Sequence, residues 1–226
     1  MKLVIDHLQK KYGDKEVLRD ISFSFESGKI YGLLGRNGAG KTTLFNCLNR
    51  DITCDGGSFY LETEEGPREV AAEDIGYVLS TPTVPEFLTA REFLKFFLDI
   101  NRKSIPNPKP LDEYFESMSI DPEDRDMKNK MQMLINIVAQ PNLFLLDEPL
   151  TSLDVVVAEE MKERLRSLKE GRVTIFSTHL LDLAVDLCDE IVLLSHGTLE
   201  RVDKATLDDE AFKEKILSAL REENHA

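Results

Sequence analysis

The sequence predicts an α/β fold in which a small antiparallel β-subdomain comes first and an inserted helical subdomain interrupts the main sheet. Three observations carry this. Short apolar or alternating segments (Ile21 to Phe25, Ile30 to Leu34, Ile75 to Leu79, Leu143 to Leu146, Val173 to Phe176, Ile191 to Leu194) read as strands, with helical patterns between several of them. Before Gly35 the strands follow one another through the turns Tyr12-Gly13-Asp14-Lys15 and Glu26-Ser27-Gly28-Lys29, which predicts hairpin pairing rather than helical crossovers. Between Thr89 and Gln140 the pattern turns helical.

The helical stretch opens on Thr89-Ala90-Arg91-Glu92, where Thr and Glu can satisfy each other's backbone donors as a capping box. Its middle, Ser104-Ile105-Pro106-Asn107-Pro108-Lys109-Pro110, carries three alternating prolines that forbid helix and predict an exposed loop. From Asp208 to Glu223, Phe212, Ile216, Leu217 and Leu220 recur at helical spacing, which predicts a C-terminal amphipathic helix. The 226 residues, 42% of them apolar, suffice to bury a core, so the chain reads as one domain rather than as disorder. Within it, about 1–80 and 141–205 form the β-subdomain and main sheet, about 81–140 the helical subdomain, and about 206–226 the terminal helix.

A formal charge of −14, without a Lys/Arg-rich run, would repel a phosphate backbone and excludes nucleic acid as a partner. The longest apolar runs, such as Leu143-Phe144-Leu145-Leu146, fall far short of the roughly twenty residues that a membrane span needs. Met1-Lys2-Leu3-Val4-Ile5-Asp6 reaches an acid before any secretory apolar core, so the expected location is cytoplasmic. Cys47, Cys54 and Cys188 are odd in number and lack metal-pair spacing, so they are expected as buried or idle thiols.

Strand Ile30 to Leu34 runs into Gly35-Arg36-Asn37-Gly38-Ala39-Gly40-Lys41-Thr42, followed by the helix Thr43 to Asn49. This is the full P-loop spacing and implies a P-loop NTPase core that takes ATP and Mg²⁺. The glycines let the backbone curl so that successive N–H groups face the β- and γ-phosphates, and the helix N-terminus adds partial positive charge. Gly35, Arg36, Asn37, Gly38, Ala39, Gly40, Lys41, Thr42 and Thr43 are therefore the expected phosphate-binding residues, with Lys41 as mobile cation and the Thr42 hydroxyl as a Mg²⁺ ligand.

After four apolar residues comes Asp147-Glu148-Pro149, two carboxylates at a strand's C-terminal end, where ligands sit in open α/β sheets. Strand alternation sends neighbouring side chains apart, so Asp147 is expected in the magnesium shell and Glu148 as the catalytic residue facing the attacking water. Taken alone, such a pair is more often a couple of solvated turn acids; the P-loop upstream reverses this in favour of the functional reading. Thr178-His179 likewise follows a strand, bringing an imidazole able to hydrogen-bond a γ-phosphate toward the same sheet edge.

The P-loop, then Leu143 to Pro149, Thr151-Ser152-Leu153-Asp154 and Ser177-Thr178-His179 resemble, in order and spacing, the ABC transporter ATPase family over nearly the whole chain. The resemblance implies that Ser152-Leu153-Asp154 touch an opposite subunit and that His179 is catalytic, reading the γ-phosphate. It places Tyr12 where an aromatic stacks on adenine; a turn tyrosine packed on the β-subdomain is the alternative. It further implies a separate integral membrane permease and a location at the cytoplasmic face of the cell membrane.

Two departures stand out. Ser80 occupies the place of a glutamine that reaches magnesium and water in the family. The family's signature falls on Glu123-Asp124-Arg125-Asp126-Met127, with Asp124 in place of serine and Asp126 in place of glycine. Carboxylates facing a polyphosphate would repel it by about 4 kcal/mol per pair at 4 Å, although Asp124 could also simply cap the helix Met127 to Gln140. The resemblance thus implies a second ATPase subunit that supplies an orthodox signature, a heterodimer, over a homodimer of this chain. A soluble ATP-driven clamp is the rival function.

Overall fold

Two sheets pack face to face in the computed structural model, which describes residues 1–124, 128–151, 153–208, 214, 216–218 and 220. The first sheet is antiparallel and holds β1 (Lys2–Tyr12), β2 (Lys15–Glu26), β4 (Gly56–Thr63) and β5 (Gly66–Arg68) in the order β2-β1-β4-β5. The predicted first turn closes it, with Tyr12 paired to Lys15 and Gly13 at φ 59°, a value that glycine adopts without steric cost.

The second sheet runs β10-β9-β3-β8-β7-β6, from β3 (Ile30–Leu34), β6 (Ile75–Val78), β7 (Leu143–Asp147), β8 (Val173–Thr178), β9 (Glu190–Ser195) and β10 (Thr198–Val202). All its pairings are parallel except the β9–β10 hairpin. Its central strands β3, β7 and β8 are buried at every position, which is why they read as continuous apolar runs.

Alternation along those strands builds two cores. Leu143, Leu145 and Ile175 face the antiparallel sheet and α1 (Lys41–Leu48), joining Leu3, Phe25, Tyr31 and Phe45. Phe144, Leu146 and Phe176 face the other way, onto Leu94, Phe115, Met133 and Leu134 of the helical insertion. That insertion comprises α2 (Ala90–Ile100), α3 (Leu111–Ser117) and α4 (Lys128–Ala139), with the proline-rich stretch left between α2 and α3 as predicted.

Helix α2 accounts for its opening donors in full. The N–H of Glu92 reaches Thr89 Oγ1 at 3.2 Å and Thr89 N–H reaches Glu92 Oε2 at 2.9 Å, the expected capping box. Ala90 and Arg91 donate to the carbonyls of Asp124 and Pro122, both at 2.9 Å, which folds the segment before α4 onto the start of α2. Entry into β6 is fixed by Asp74, buried, which Arg68 grips with two bonds of 2.5 and 2.7 Å. At Gly76 a Cβ would meet Pro141 Cγ at 2.7 Å and Asn136 Oδ1 at 3.0 Å, so the strand lies against α4 and its exit only with glycine there.

Two helices follow the main strands. α5 (Val155–Leu168) is capped by Asp154, which accepts from Val156 and Val157 at 3.0 Å, and α6 (Leu181–Leu187) packs on β3. Of the predicted terminal helix, Ile216 is buried and packs with Leu217 and Leu220 on Leu34, Leu181 and Ile191; Phe212 lies outside the described residues. Cys47 and Cys188 are buried free thiols whose pKa values burial pushes up to about 12. Among the described residues no helix is long and apolar enough to cross a membrane.

Candidate nucleotide site

The P-loop joins β3 to α1 at the C-terminal edge of the main sheet. Gly38 (φ 81°) and Gly40 (φ 109°) turn the backbone through left-handed conformations that residues with a Cβ rarely adopt. A Cβ on Gly40 would also stand 3.0 Å from Val17 Cγ1. The helix begins at Lys41, two residues ahead of the sequence expectation, so Lys41 and Thr42 sit in its first turn. No side chain caps that turn and no acid lies in it, leaving its N–H groups and dipole for an anion.

Lys41 is buried, and its ammonium is spread over three oxygens. It donates to the carbonyls of Gly35 at 2.7 Å and Arg36 at 3.1 Å, and lies 3.3 Å from Glu148 Oε1. Thr42 Oγ1 donates to Asp147 Oδ2 at 2.7 Å, joining the two residues expected to share a metal. The other Asp147 oxygen accepts from Ser177 Oγ at 2.6 Å, and the same hydroxyl accepts the Glu148 N–H at 3.0 Å.

The two carboxylates do diverge, by a different device from strand alternation. Strand β7 ends at Asp147, and Glu148 adopts φ 47°, an uncommon left-handed conformation for a residue with a Cβ. This turn directs Asp147 to Thr42 and Glu148 to Lys41 and His179. His179 Nδ1 lies 3.0 Å from Glu148 Oε2; since an ionised carboxylate only accepts, Nδ1 carries the proton. Thr151 Oγ1 donates to the same oxygen at 3.3 Å. Burial pushes the Glu148 pKa up, but the His179 hydrogen bond and the Lys41 and His179 charges outweigh it and leave the carboxyl below its ordinary value.

One cleft brings together Asn37, Gly38, Gly40, Lys41, Thr42 and Thr43 with Asp147, Glu148, Ser80 and Val17. Gly35, Arg36 and Ala39 form the remainder of the loop; the first two offer their carbonyls to Lys41, and Ala39 packs on the core. Tyr12 stands at the tip of the β1–β2 hairpin, 51% exposed, with Lys10 Nζ 5.4 Å from its ring centre, and is not among the cleft residues. Of the signature region, Asp124 is placed with its carbonyl on the α2 N-terminus, whereas Arg125, Asp126 and Met127, and also Ser152, lie outside the described residues.

Sequence reasoning gave no role to Ser177, the hydroxyl that ties the acidic pair together, or to Val17. It also passed over Gln132. With its amide oriented to satisfy both partners, buried Gln132 on α4 accepts from the Leu79 N–H at 2.8 Å and donates to the Leu79 carbonyl at 3.3 Å. Its neighbour one turn on, Asn136, reaches the Tyr77 carbonyl at 3.5 Å. Since β6 is an edge strand, these amides stand in for a missing neighbour strand, and they fix the backbone immediately before Ser80. The signal available in the sequence was two amides four residues apart, Gln132 and Asn136, set among the otherwise apolar residues from Met131 to Ala139.

Comparison with known proteins agrees with this geometry. The family described as ABC transporter matches residues 18–151. An uncharacterized ABC transporter ATP-binding protein of Bacillus subtilis, YdbJ, is 30% identical over 98% of this chain and 75% of its own length. The lantibiotic transport ATP-binding protein SrtF of Streptococcus pyogenes is 29% identical over 97% of this chain and 99% of its own. A solved structure, that of an ATP binding subunit of an ABC transporter, shares the fold with a TM-score of 0.76 at 22% identity, covering 98% of this chain and 100% of that one. The chain belongs to the ABC transporter family, and it binds and hydrolyses ATP as that family's ATP-binding domains do.

Proposed function

We propose that this chain, acting as one cassette over 1–226, hydrolyses ATP to energise transport through a separate integral membrane permease at the cytoplasmic face of the cell membrane. The observation that carries this reading is the position of Glu148, with one oxygen at Lys41 and the other at His179 beside an open helix N-terminus. Phosphates entering the loop take the Lys41 N–H groups in exchange for the Gly35 and Arg36 carbonyls. Glu148 then loses one of the charges that hold its pKa down and becomes the better base toward an attacking water. His179 holds Glu148 through Nδ1; donation to the γ-phosphate from Nε2 as well requires the ring to carry both protons. Tyr12 is exposed where an adenine ring could stack on it.

Thr42 and Asp147 suit Mg²⁺, being a hydroxyl and a buried carboxylate already 2.7 Å apart, hard oxygen donors of the kind the ion prefers. Bound there, the ion would neutralise charge on the β- and γ-phosphates. The SrtF relative is named for transport and supports the transport reading. Closure of two cassettes around ATP would supply the motion. The sequence Asp124-Arg125-Asp126 favours a different ATPase subunit as the second cassette, because two copies of this chain would both present carboxylates to the γ-phosphate.

Affinity purification of the chain from its native membranes, with every partner sequenced, tests this. An integral membrane protein in stoichiometric amount is the expected result. Purification with cytosolic partners alone would instead favour an ATP-driven clamp.

A further inference from the structure

At the opposite edge of the main sheet from the nucleotide cleft, a cavity of about 410 Å³ holds two arginines with unmatched donors. Arg164 lies on α5, and Arg172 immediately precedes β8, the strand that ends at Thr178 before His179. Six strand residues at about 3.3 Å each separate the two sites by about 20 Å. The other walls are the proline-rich loop, α3 and the last turn of α4, which contribute Ile105, Tyr114 and Ile137, while α5 adds Leu168.

Nε of Arg164 and both Nε and Nη1 of Arg172 are buried and meet no hydrogen-bond acceptor among the described residues. A guanidinium has only donors, and each buried donor left unmade costs about 1–3 kcal/mol, so native proteins keep few of them. Elsewhere in the chain Arg68, Arg91 and Arg166 each pair with an aspartate. With 42 acidic residues against 28 basic, acids are in excess, yet among the described residues none meets these buried donors. Burial lowers the Arg172 pKa with no carboxylate acting to raise it. Glu113 is the one acid of the cavity wall, and Lys109 offsets it.

We propose that this cavity binds a small oxyanion, the carboxylate or phosphate group of a metabolite, through the Arg164 and Arg172 guanidiniums that line it, which turn on binding to bring their buried donors into the cavity. Forked planar donors match the edge of such a group two bonds at a time. Ile105, Ile137, Leu168 and the Tyr114 ring receive an apolar body beside the charged head. A ligand there joins the helical insertion to α5 and to the root of the strand that carries Ser177.

The test uses the whole chain with its P-loop filled by saturating ADP, so that added anions report on the second site. Inorganic phosphate and citrate are titrated separately, against sodium chloride at matched ionic strength. At concentrations about tenfold above Kd, phosphate or citrate should raise Tm by about 3 °C in the wild type and leave Arg164→Met and Arg172→Met unmoved. The stronger of the two probes tells phosphate from carboxylate. Arg Nε–H resonances of the wild-type protein, which need no variant to fold, should move for Arg164 and Arg172 with the same probe. Equal Tm shifts in wild type and variants, or still Nε–H resonances under both anions, would overturn the proposal.

Discussion

The ammonium of Lys41 stands 3.3 Å from Oε1 of Glu148, so the cation of the P-loop and the carboxylate beyond β7 hold each other across the cleft. Both are largely shielded from water, with side-chain exposures of 5% and 17%. Lys41→Ala removes the mobile cation of the loop and leaves phosphates to the N–H groups. Hydrogen bonds to charged groups contribute about 1.5–3 kcal/mol, which predicts a loss of ATP affinity of roughly 10- to 150-fold. A binding titration checks it, and unchanged affinity would remove the P-loop from the account.

Ser177 is fully buried and serves two partners with one hydroxyl, donating to Asp147 and accepting from Glu148 N–H. Ser177→Ala leaves a buried carboxylate oxygen and a backbone donor unmatched. The expected destabilisation is about 2–3 kcal/mol, accompanied by slower hydrolysis because the turn at Glu148 loses its anchor. Urea denaturation reads the first and steady-state ATPase assays the second. A variant with wild-type midpoint and rate would show that the φ 47° turn at Glu148 is held by other contacts.

Asp74 gives a pH dependence of stability. Its hydrogen bonds with Arg68 hold the carboxyl down to about 2, against the resistance of burial and with help from Asn142 and the Ala71 N–H. A folded pKa below the unfolded value stabilises the fold at pH above about 4, and that contribution disappears as pH falls through about 2. Asp74→Asn should therefore lower stability by about 2 kcal/mol at neutral pH, and the gap to wild type should narrow steadily from pH 5 towards pH 2. Denaturant midpoints of both proteins across that range measure it, and a gap that stays constant or widens would contradict the assignment.

The signature region yields a prediction about assembly. The resemblance sets Asp124 and Asp126 against a serine and a glycine of the family's signature, and on that reading a site completed by this chain's signature should turn over poorly. Mass spectrometry of the intact complex should reveal a second, different ATPase. If it shows two copies of this chain instead, Asp124→Ser combined with Asp126→Gly should raise the rate by an order of magnitude or more, the equivalent of about 1.4 kcal/mol of barrier.

How much of this was legible in the sequence follows the range of the interactions. Most strands named from the sequence lie in the main sheet, where a buried run such as Leu143 to Leu146 signals itself, whereas Ile21 to Phe25 is read from its alternation with Ile21 and Phe25 buried. β1 is implied in the sequence only by the turn that follows it, because His7, at φ 50°, interrupts its alternation and its register with β2 shifts repeatedly. β4 and the edge strand β5 are half exposed and carry little apolar signal. The P-loop was readable because its residues are contiguous, and the Thr89 capping box for the same reason. Ser177 between Asp147 and Glu148, Gln132 on Leu79, and the left-handed turn at Glu148 are tertiary pairings and backbone choices that no local pattern announces.

Glu148→Gln tests the central claim most directly, because the amide keeps the side chain's shape and removes its basic oxygen. The measurement is single-turnover hydrolysis in the complete complex, made alongside ATP affinity on the same sample. The account predicts affinity within about threefold of wild type and a hydrolysis rate lower by a factor of about 10²–10⁴. Hydrolysis at the wild-type rate with ATP bound would show that Glu148 does not act on the attacking water.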